Sequence, residues 1–324
     1  MGRGTAALAN GAWRAEWRAE RRARLTPAAI LGALPPPALI LAGIVSVQVG
    51  AGLAKQLFAV VPPASVTLLR LWSSAILMLV PTARYLWRRR PQGAGNELAQ
   101  RRVGWRSLGI VVAFGLTLAV MNFAIYQSFA RIPLGVAVTI EFLGPLAVAV
   151  AASRRMVDLA WVALAGAGVA LLTRGGGHIT VTGVAFALVA AAGWATYILV
   201  SAATGRRFPG STGLTIAMVI AAVAITPVGV TAGAALLRPG VLAIGAGIGL
   251  LSSVIPYSLE LEALRRVPPR VFGVLMSLEP AVAALVGLFL LGQVLAPREW
   301  IAIGFVMLAC IGAARGWSGR GLDA

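Results

Sequence analysis

Two glutamates sit where charge is expensive. Glu141 and Glu279 each lie near the middle of a long apolar run. An ionisable side chain at the centre of a bilayer costs about 2.5–3.5 kcal/mol on insertion scales, so it faces the protein interior and marks a pathway. A carboxyl group held there can carry a proton or hold a cation. Two earlier apolar runs hold cations at notable positions: Lys55, the only lysine, and Arg70. A guanidinium can grip a carboxylate through two parallel N–H bonds, which an ammonium cannot. Such a set can recognise a small charged or zwitterionic solute and relay protons. Bond-breaking chemistry has little support. Cys310 and His178 are the only residues of their types, and His178 lies in the polar break GGGHIT. No nucleophilic triad, metal-ligand spacing or phosphate-cradling loop can be built from them.

Each of these residues also has a plainer reading. Pro145 and Pro280 follow the two glutamates, and each Glu could satisfy backbone groups that a proline leaves without a partner. Lys55 lies close enough to the end of its run to snorkel to the interface. Arg70 lies deeper and could be half of a structural ion pair. Glu260 and Glu262 precede Arg265 and Arg266, as in a charge-paired helix end, although Glu260 is deep enough to reach a cavity. Asn122, Tyr126, Trp194, Tyr197 and Tyr257 are polar or amphipathic groups near mid-run, with Gln48 and Gln127 beside them. Some of these should line a cavity.

The elements that position these groups are membrane spans. Only 12% of residues are charged and 59% are hydrophobic, whereas a soluble domain carries about 25% charged residues. The net charge of +18 would suit nucleic acid if the arginines clustered on a polar surface. They come instead in short bursts between apolar runs, the pattern of a multi-span membrane protein. Ten runs are present, over 36–58, 64–86, 107–129, 133–152, 157–173, 181–203, 212–236, 241–263, 270–291 and 299–316. About 20 residues at 1.5 Å rise cross a hydrocarbon core of about 30 Å. In lipid such runs must be helices, because every backbone polar group needs an internal partner.

The basic residues orient the runs. With the N-terminus in the cytoplasm, cytoplasmic segments carry 22 of the 28 Lys and Arg residues, and the opposite side carries four: Arg131, Arg174, Arg238 and Arg298. Lys55 and Arg70 fall within spans. This asymmetry is the positive-inside rule at work. The Arg-rich 88–106 loop and the basic first 35 residues fit the same rule. The stretch around Trp13 and Trp17 is a disordered tail or a short helix lying on an anionic membrane surface.

The chain also repeats itself. Arg131, Pro133 and Pro145 match Arg266, Pro268 and Pro280 at one offset, 135 residues, and Asn122 matches Tyr257. Each half then holds five helices, and an odd number inverts the second half relative to the first. Paired breaks in corresponding spans point to a transporter's binding site. The glutamates are not equivalent within the repeat. Glu141 is four residues before Pro145, and Glu279 immediately precedes Pro280. On a helix these positions differ by about 300° of rotation and about 4.5 Å of rise. One carboxylate can then serve the proton and the other the substrate or a gate. Glu141, flanked by apolar residues, is favoured for the proton.

Ten helices in two five-helix halves resemble the drug/metabolite transporter superfamily, EamA type. The stretches IEFLGPLAVAVAASRR at 140–155 and LSSVIPYSLELEALRRVPPRVFGVLMSLEP from 251 are similar to the threonine/homoserine exporter branch. The resemblance covers most of 36–316. It implies export of small neutral amino acids across the inner membrane, driven by protons, and the direction rests on the resemblance alone. A broader drug or metabolite exporter is the alternative, and a cavity holding both signs of charge would separate the two. A membrane-embedded enzyme or a non-transporting membrane protein fits less well.

The expectation is an all-α membrane protein: ten transmembrane helices as two inverted five-helix repeats. A basic cytoplasmic tail (1–35) precedes the first repeat (36–173), and the second (174–316) precedes a cytoplasmic tail (317–324). Substrate, protons and the lipid bilayer are its partners. No nucleic acid, cofactor or metal is expected, and the oligomeric state is left open. Reporter fusions test the orientation. Fusions within 91–100 and at the C-terminus should report cytoplasm, and one within 175–178 should report the opposite side. A cytoplasmic signal from 175–178 breaks the ten-span arrangement.

Overall fold

The computed structural model describes residues 34–88, 104–152, 157–173, 179–208 and 211–316. The stretch around Trp13 and Trp17, most of the 88–106 loop, His178 and the 317–324 tail lie outside the described residues. Among the described residues, nine segments are long and apolar enough to cross a membrane. A shorter apolar helix, Val157–Leu172, is the fifth in chain order and brings the passes to ten.

Prolines open many of these helices. α1 (Pro36–Leu57), α2 (Pro63–Arg88), α9 (Pro239–Gly249), α11 (Pro269–Met276) and α13 (Pro297–Gly316) all begin with one. The first helical position tolerates proline because its missing N–H would have no intrahelical partner there. Between these lie α3 (Trp105–Phe129), α4 (Leu134–Glu141), α5 (Leu143–Ala151), α6 (Val157–Thr173), α7 (Val181–Gly205), α8 (Thr212–Gly229), α10 (Ile255–Leu264) and α12 (Glu279–Leu291). α4 with α5 forms the fourth pass, α9 with α10 the eighth, and α11 with α12 the ninth. The seventh run is not one continuous α-helix. Past Gly229 it tightens into a 3₁₀ segment, Val230–Leu237, where Gly233 adopts a φ of 55°.

Packing between the halves follows an exchange rule. The first pass lies on the eighth and the third on the sixth, while second pairs with seventh, fourth with ninth and fifth with tenth. Swapping passes one to five for six to ten turns this set of pairs into itself. That is the mark of a pseudo-two-fold axis. Because five is odd, the halves cross the membrane in opposite directions.

The breaks obey the same relation. Pro133 and Pro268 flank the starts of α4 and α11 with nearly identical backbone angles (φ −58°, ψ 145° and φ −59°, ψ 144°). Phe142 interrupts the fourth pass, and Ser277 interrupts the ninth at the same offset of 135 residues.

Small residues let the passes approach closely, as expected where lipid gives no hydrophobic drive to helix association. Ser46 and Gly50 of α1 lie one turn apart. Ser46 donates to the Leu251 carbonyl at 2.7 Å, and Gly50 lies against the Ser252 side chain. At the fourth–ninth contact a Cβ on Gly135 would fall 2.7 Å from both Cα and Cβ of Ala284. Neither atom can move without shifting α12. Gly135→Val should therefore lower the melting temperature of purified protein, at a cost of about 1–3 kcal/mol for overpacking. Gly166, with nothing within 4 Å of an added Cβ, should accept Ala without loss. Equal melting of Gly135→Val and wild type would contradict the close approach.

Candidate functional site

A cavity of about 300 Å³ lies among the passes, and three interrupted helices shape it. The physical cause is the same in each. Proline has no N–H to offer the carbonyl four residues earlier. Pro145, Pro280 and Pro256 therefore leave the carbonyls of Glu141, Met276 and Ser252 without their helical donors. All three of these residues line the cavity. Around Ser252 the ladder opens into a π-helical turn, Leu250–Val254, a distortion common at functional sites. The Arg70 guanidinium of α2 fills the gap. Its Nη2 donates to the Ser252 carbonyl at 3.4 Å, and its plane lies 5.5 Å from the centre of the Tyr126 ring. Among the described residues no carboxylate lies within 4.0 Å of Arg70, so the ion-pair reading of this residue finds no support.

Three carboxyl groups face the same space: Glu141, Glu260 and Glu279. Glu141 ends α4 and Glu279 begins α12, so the two helix breaks carry them to the cavity. Glu279 is buried and accepts a 2.8 Å hydrogen bond from Nε2 of Gln48. Its other oxygen and the Gln48 side-chain oxygen are both buried without a partner. Glu141 makes no hydrogen bond through its carboxyl group among the described residues, and it lies within electrostatic reach of Arg70. Glu260 lies across Gly43 of α1, where an added Cβ would stand 3.7 Å from its Oε1. Glu279 lies within electrostatic reach of both other carboxyl groups.

The remaining candidates separate into wall, backing and periphery. Asn122, Trp194, Tyr197 and Tyr257 line the cavity. Asn122 turns its amide to the Leu118 carbonyl at 2.8 Å. Trp194 stands edge-on to Phe142, with ring centres 4.9 Å apart. Behind this aromatic wall lies a second, apolar space of about 250 Å³, which shares Trp194, Phe272 and Met276 with the first. Tyr126 is fully buried behind Arg70 and is not part of the wall. Glu262 pairs with Arg265 at 3.3 Å and with Arg266. The charge-paired helix end thus belongs to Glu262, and Glu260 belongs to the cavity. Ser252 was missed by sequence reasoning. Its signal was Pro256 four residues downstream, in a run that otherwise reads as continuous helix. Among the described residues no cluster could hold a metal ion.

Lys55 stands outside the cavity. Its Nζ donates to the Ile132 carbonyl at 2.7 Å, tying α1 to the third–fourth connection. Nearby, Gln56 donates to the Leu290 carbonyl at 3.0 Å, and Gln293 accepts from the Leu134 N–H at 2.9 Å. These bonds hold together the ends of three passes on one face. Lys55→Met leaves the Ile132 carbonyl without a donor, a loss of about 1–3 kcal/mol where the group stays buried. The variant should melt lower while the KM for substrate stays unchanged. A raised KM without lower melting would place Lys55 at the site instead.

The model of the EamA-like transporter family matches residues 181–315. The threonine/homoserine exporter RhtA of Escherichia coli (strain K12) is 39% identical over 282 residues, covering 86% of this chain and 90% of that protein. RhtA of Salmonella typhimurium (strain LT2) matches with the same identity and coverage. The uncharacterized transporter YwfM of Bacillus subtilis (strain 168) is 32% identical over 135 residues, 41% of this chain and 46% of its own length. A solved crystal structure shares the fold, with a TM-score of 0.51 at 17% identity over 86% of this chain and 96% of that one. These curated relatives are transporters and not enzymes, and the family model spans passes six to ten. The chain is a multi-pass membrane protein that belongs to the EamA-like transporter family.

Proposed function

We propose that this protein exports small neutral amino acids of the threonine and homoserine kind across the inner membrane, in exchange for protons. One observation carries the reading: the cavity presents both signs of charge, Arg70 on one side and Glu141, Glu260 and Glu279 on others. A zwitterion needs both. Its carboxylate matches the planar fork of a guanidinium with no counter-ion of its own. Its ammonium matches a carboxylate. The cavity volume is at the small end for ligand pockets, which run from about 300 to 1,000 Å³, in keeping with a single amino acid. The names of the RhtA relatives point the same way. A cationic drug would gain from the carboxylates but would have to sit beside an unneutralised Arg70, so the broader drug-exporter reading fits less well.

The two central glutamates take different parts. Glu279 is pinned by Gln48 and serves the substrate. Glu141 has no such tether, opens to the cavity and serves the proton. Rocking of one five-helix half against the other would expose the cavity to each face in turn. Both termini lie in the cytoplasm in this reading, as the arginine distribution favours.

Proteoliposomes loaded with a panel of amino acids test the proposal. Efflux of threonine and homoserine should quicken when the outside is made acid. Arg70→Ala should abolish it at normal membrane levels, and Arg70→Lys should recover little, since lysine lacks the fork. Glu141→Gln should lose the response to the pH gradient but keep substrate exchange, whereas Glu279→Gln should lose both. A panel that leaks no faster than from empty liposomes would sink the substrate class. Identical behaviour of the two glutamine variants would sink the division of labour.

A further inference from the structure

Four side chains at the centre of the molecule carry polar atoms that are buried and have no hydrogen-bond partner: the Tyr126 hydroxyl, the Ser252 hydroxyl, the Gln48 oxygen and one Glu279 oxygen. These residues are only 0%, 6%, 2% and 7% exposed, respectively. A buried polar atom without a partner is costly; Gln48, Ser252 and Glu279 line the cavity and Tyr126 stands behind it, so the set calls for a ligand.

The four sort by chemistry into two poles. Near Arg70 both unpartnered atoms are hydroxyls, able to donate. The Tyr126 phenol lies beside the Arg70 and Ser252 side chains, and the Ser252 hydroxyl lies against Gly50 of α1. Ser252 is held there by the π-helical turn, and its carbonyl is already engaged by Arg70. At the other pole both unpartnered atoms are oxygens placed to accept. They belong to one bonded pair, because Gln48 gives one of its two N–H groups to Glu279 Oε1. That leaves its own oxygen and Glu279 Oε2 without a donor.

We infer that the site reads the main chain of a free amino acid. The α-carboxylate lies at Arg70 and Ser252, with Tyr126 behind them, and the α-ammonium lies between Gln48 and Glu279. This rests on the amino acid reading of the cavity and goes past it in two respects. It gives Ser252 and Gln48 substrate contacts, and it makes both unblocked poles the condition for full affinity, with the side chain left to the apolar and aromatic wall. Molecules carrying only one pole reach only half of the site.

The test uses full-length purified protein in detergent and follows the thermal shift produced by three probes. L-threonine has both poles, L-threoninol lacks the carboxylate, and N-acetyl-L-threonine lacks the ammonium. Ser252→Ala removes one hydroxyl. It should weaken L-threonine and N-acetyl-L-threonine about tenfold, the worth of one hydrogen bond to a charged group, and leave L-threoninol unchanged. Gln48→Met should do the reverse, weakening L-threonine and L-threoninol and sparing N-acetyl-L-threonine. Because Gln48→Met strips Glu279 of its partner, Glu279→Gln provides a second, shape-preserving probe of the same pole and should give the same pattern. If Ser252→Ala weakens all three probes alike, or none, the two-pole assignment is overturned while amino acid transport stands. If L-threonine does not shift the wild type at all, the amino acid reading fails and takes the assignment with it.

Discussion

Hydrocarbon offers no hydrogen bonds, and this constraint governs the whole molecule. Over most of the bundle the helical ladder satisfies the backbone, although Pro81 and Pro227 also break it inside the second and seventh passes. Around the cavity it does not, because Pro145, Pro256 and Pro280 each withhold a donor from a carbonyl at Glu141, Ser252 or Met276. Such gaps are tolerated where the backbone faces protein or a cavity rather than lipid. The breaks and the cavity therefore require each other. The breaks open the wall and turn Glu141 and Glu279 inward, and the cavity gives the freed groups somewhere polar to face. Arg70 answers the break at Ser252 directly.

Much of this was legible in the sequence because it follows from coarse physics. Span length, arginine placement and the repeated prolines need only hydropathy and counting. The positions of Glu141 and Glu279 followed from their spacing to those prolines. What escaped was finer. Serine is too common in membrane helices to signal anything alone, so Ser252 stayed hidden until the π-helical turn showed its unpartnered hydroxyl. Lys55 and Arg70 read alike as cations in apolar runs. Their difference lies in the third dimension: one meets a carbonyl at a helix end and the other an open cavity. Tyr126 was grouped with the wall residues, yet it stands one layer behind, because helix periodicity gives a direction and not a depth. The division of the eighth pass was equally invisible, since π geometry has no hydropathy signature.

The scaffold is near-symmetric while its chemistry is not. Helix contacts map onto themselves when the halves are exchanged, and the breaks in passes four and nine share one offset. The charges obey no such rule. α7 and α8, the first two passes of the second half, contain no charged residue, whereas α1 and α2 supply Lys55 and Arg70. Glu260 and Glu279 come from the second half and Glu141 from the first. Symmetry serves the motion that rocking of the halves would need, and asymmetry serves the site.

That single guanidinium has an evolutionary corollary. Two identical half-length chains meeting head to tail would bring two copies of every side chain to the axis. A lone arginine facing carboxylates is impossible in such a pair; a second guanidinium would come with it. Only after the halves are encoded separately, in one fused gene, can one copy keep its arginine and the other shed it. The polarity of this cavity is thus a property that duplication alone cannot create and that divergence of the two copies must.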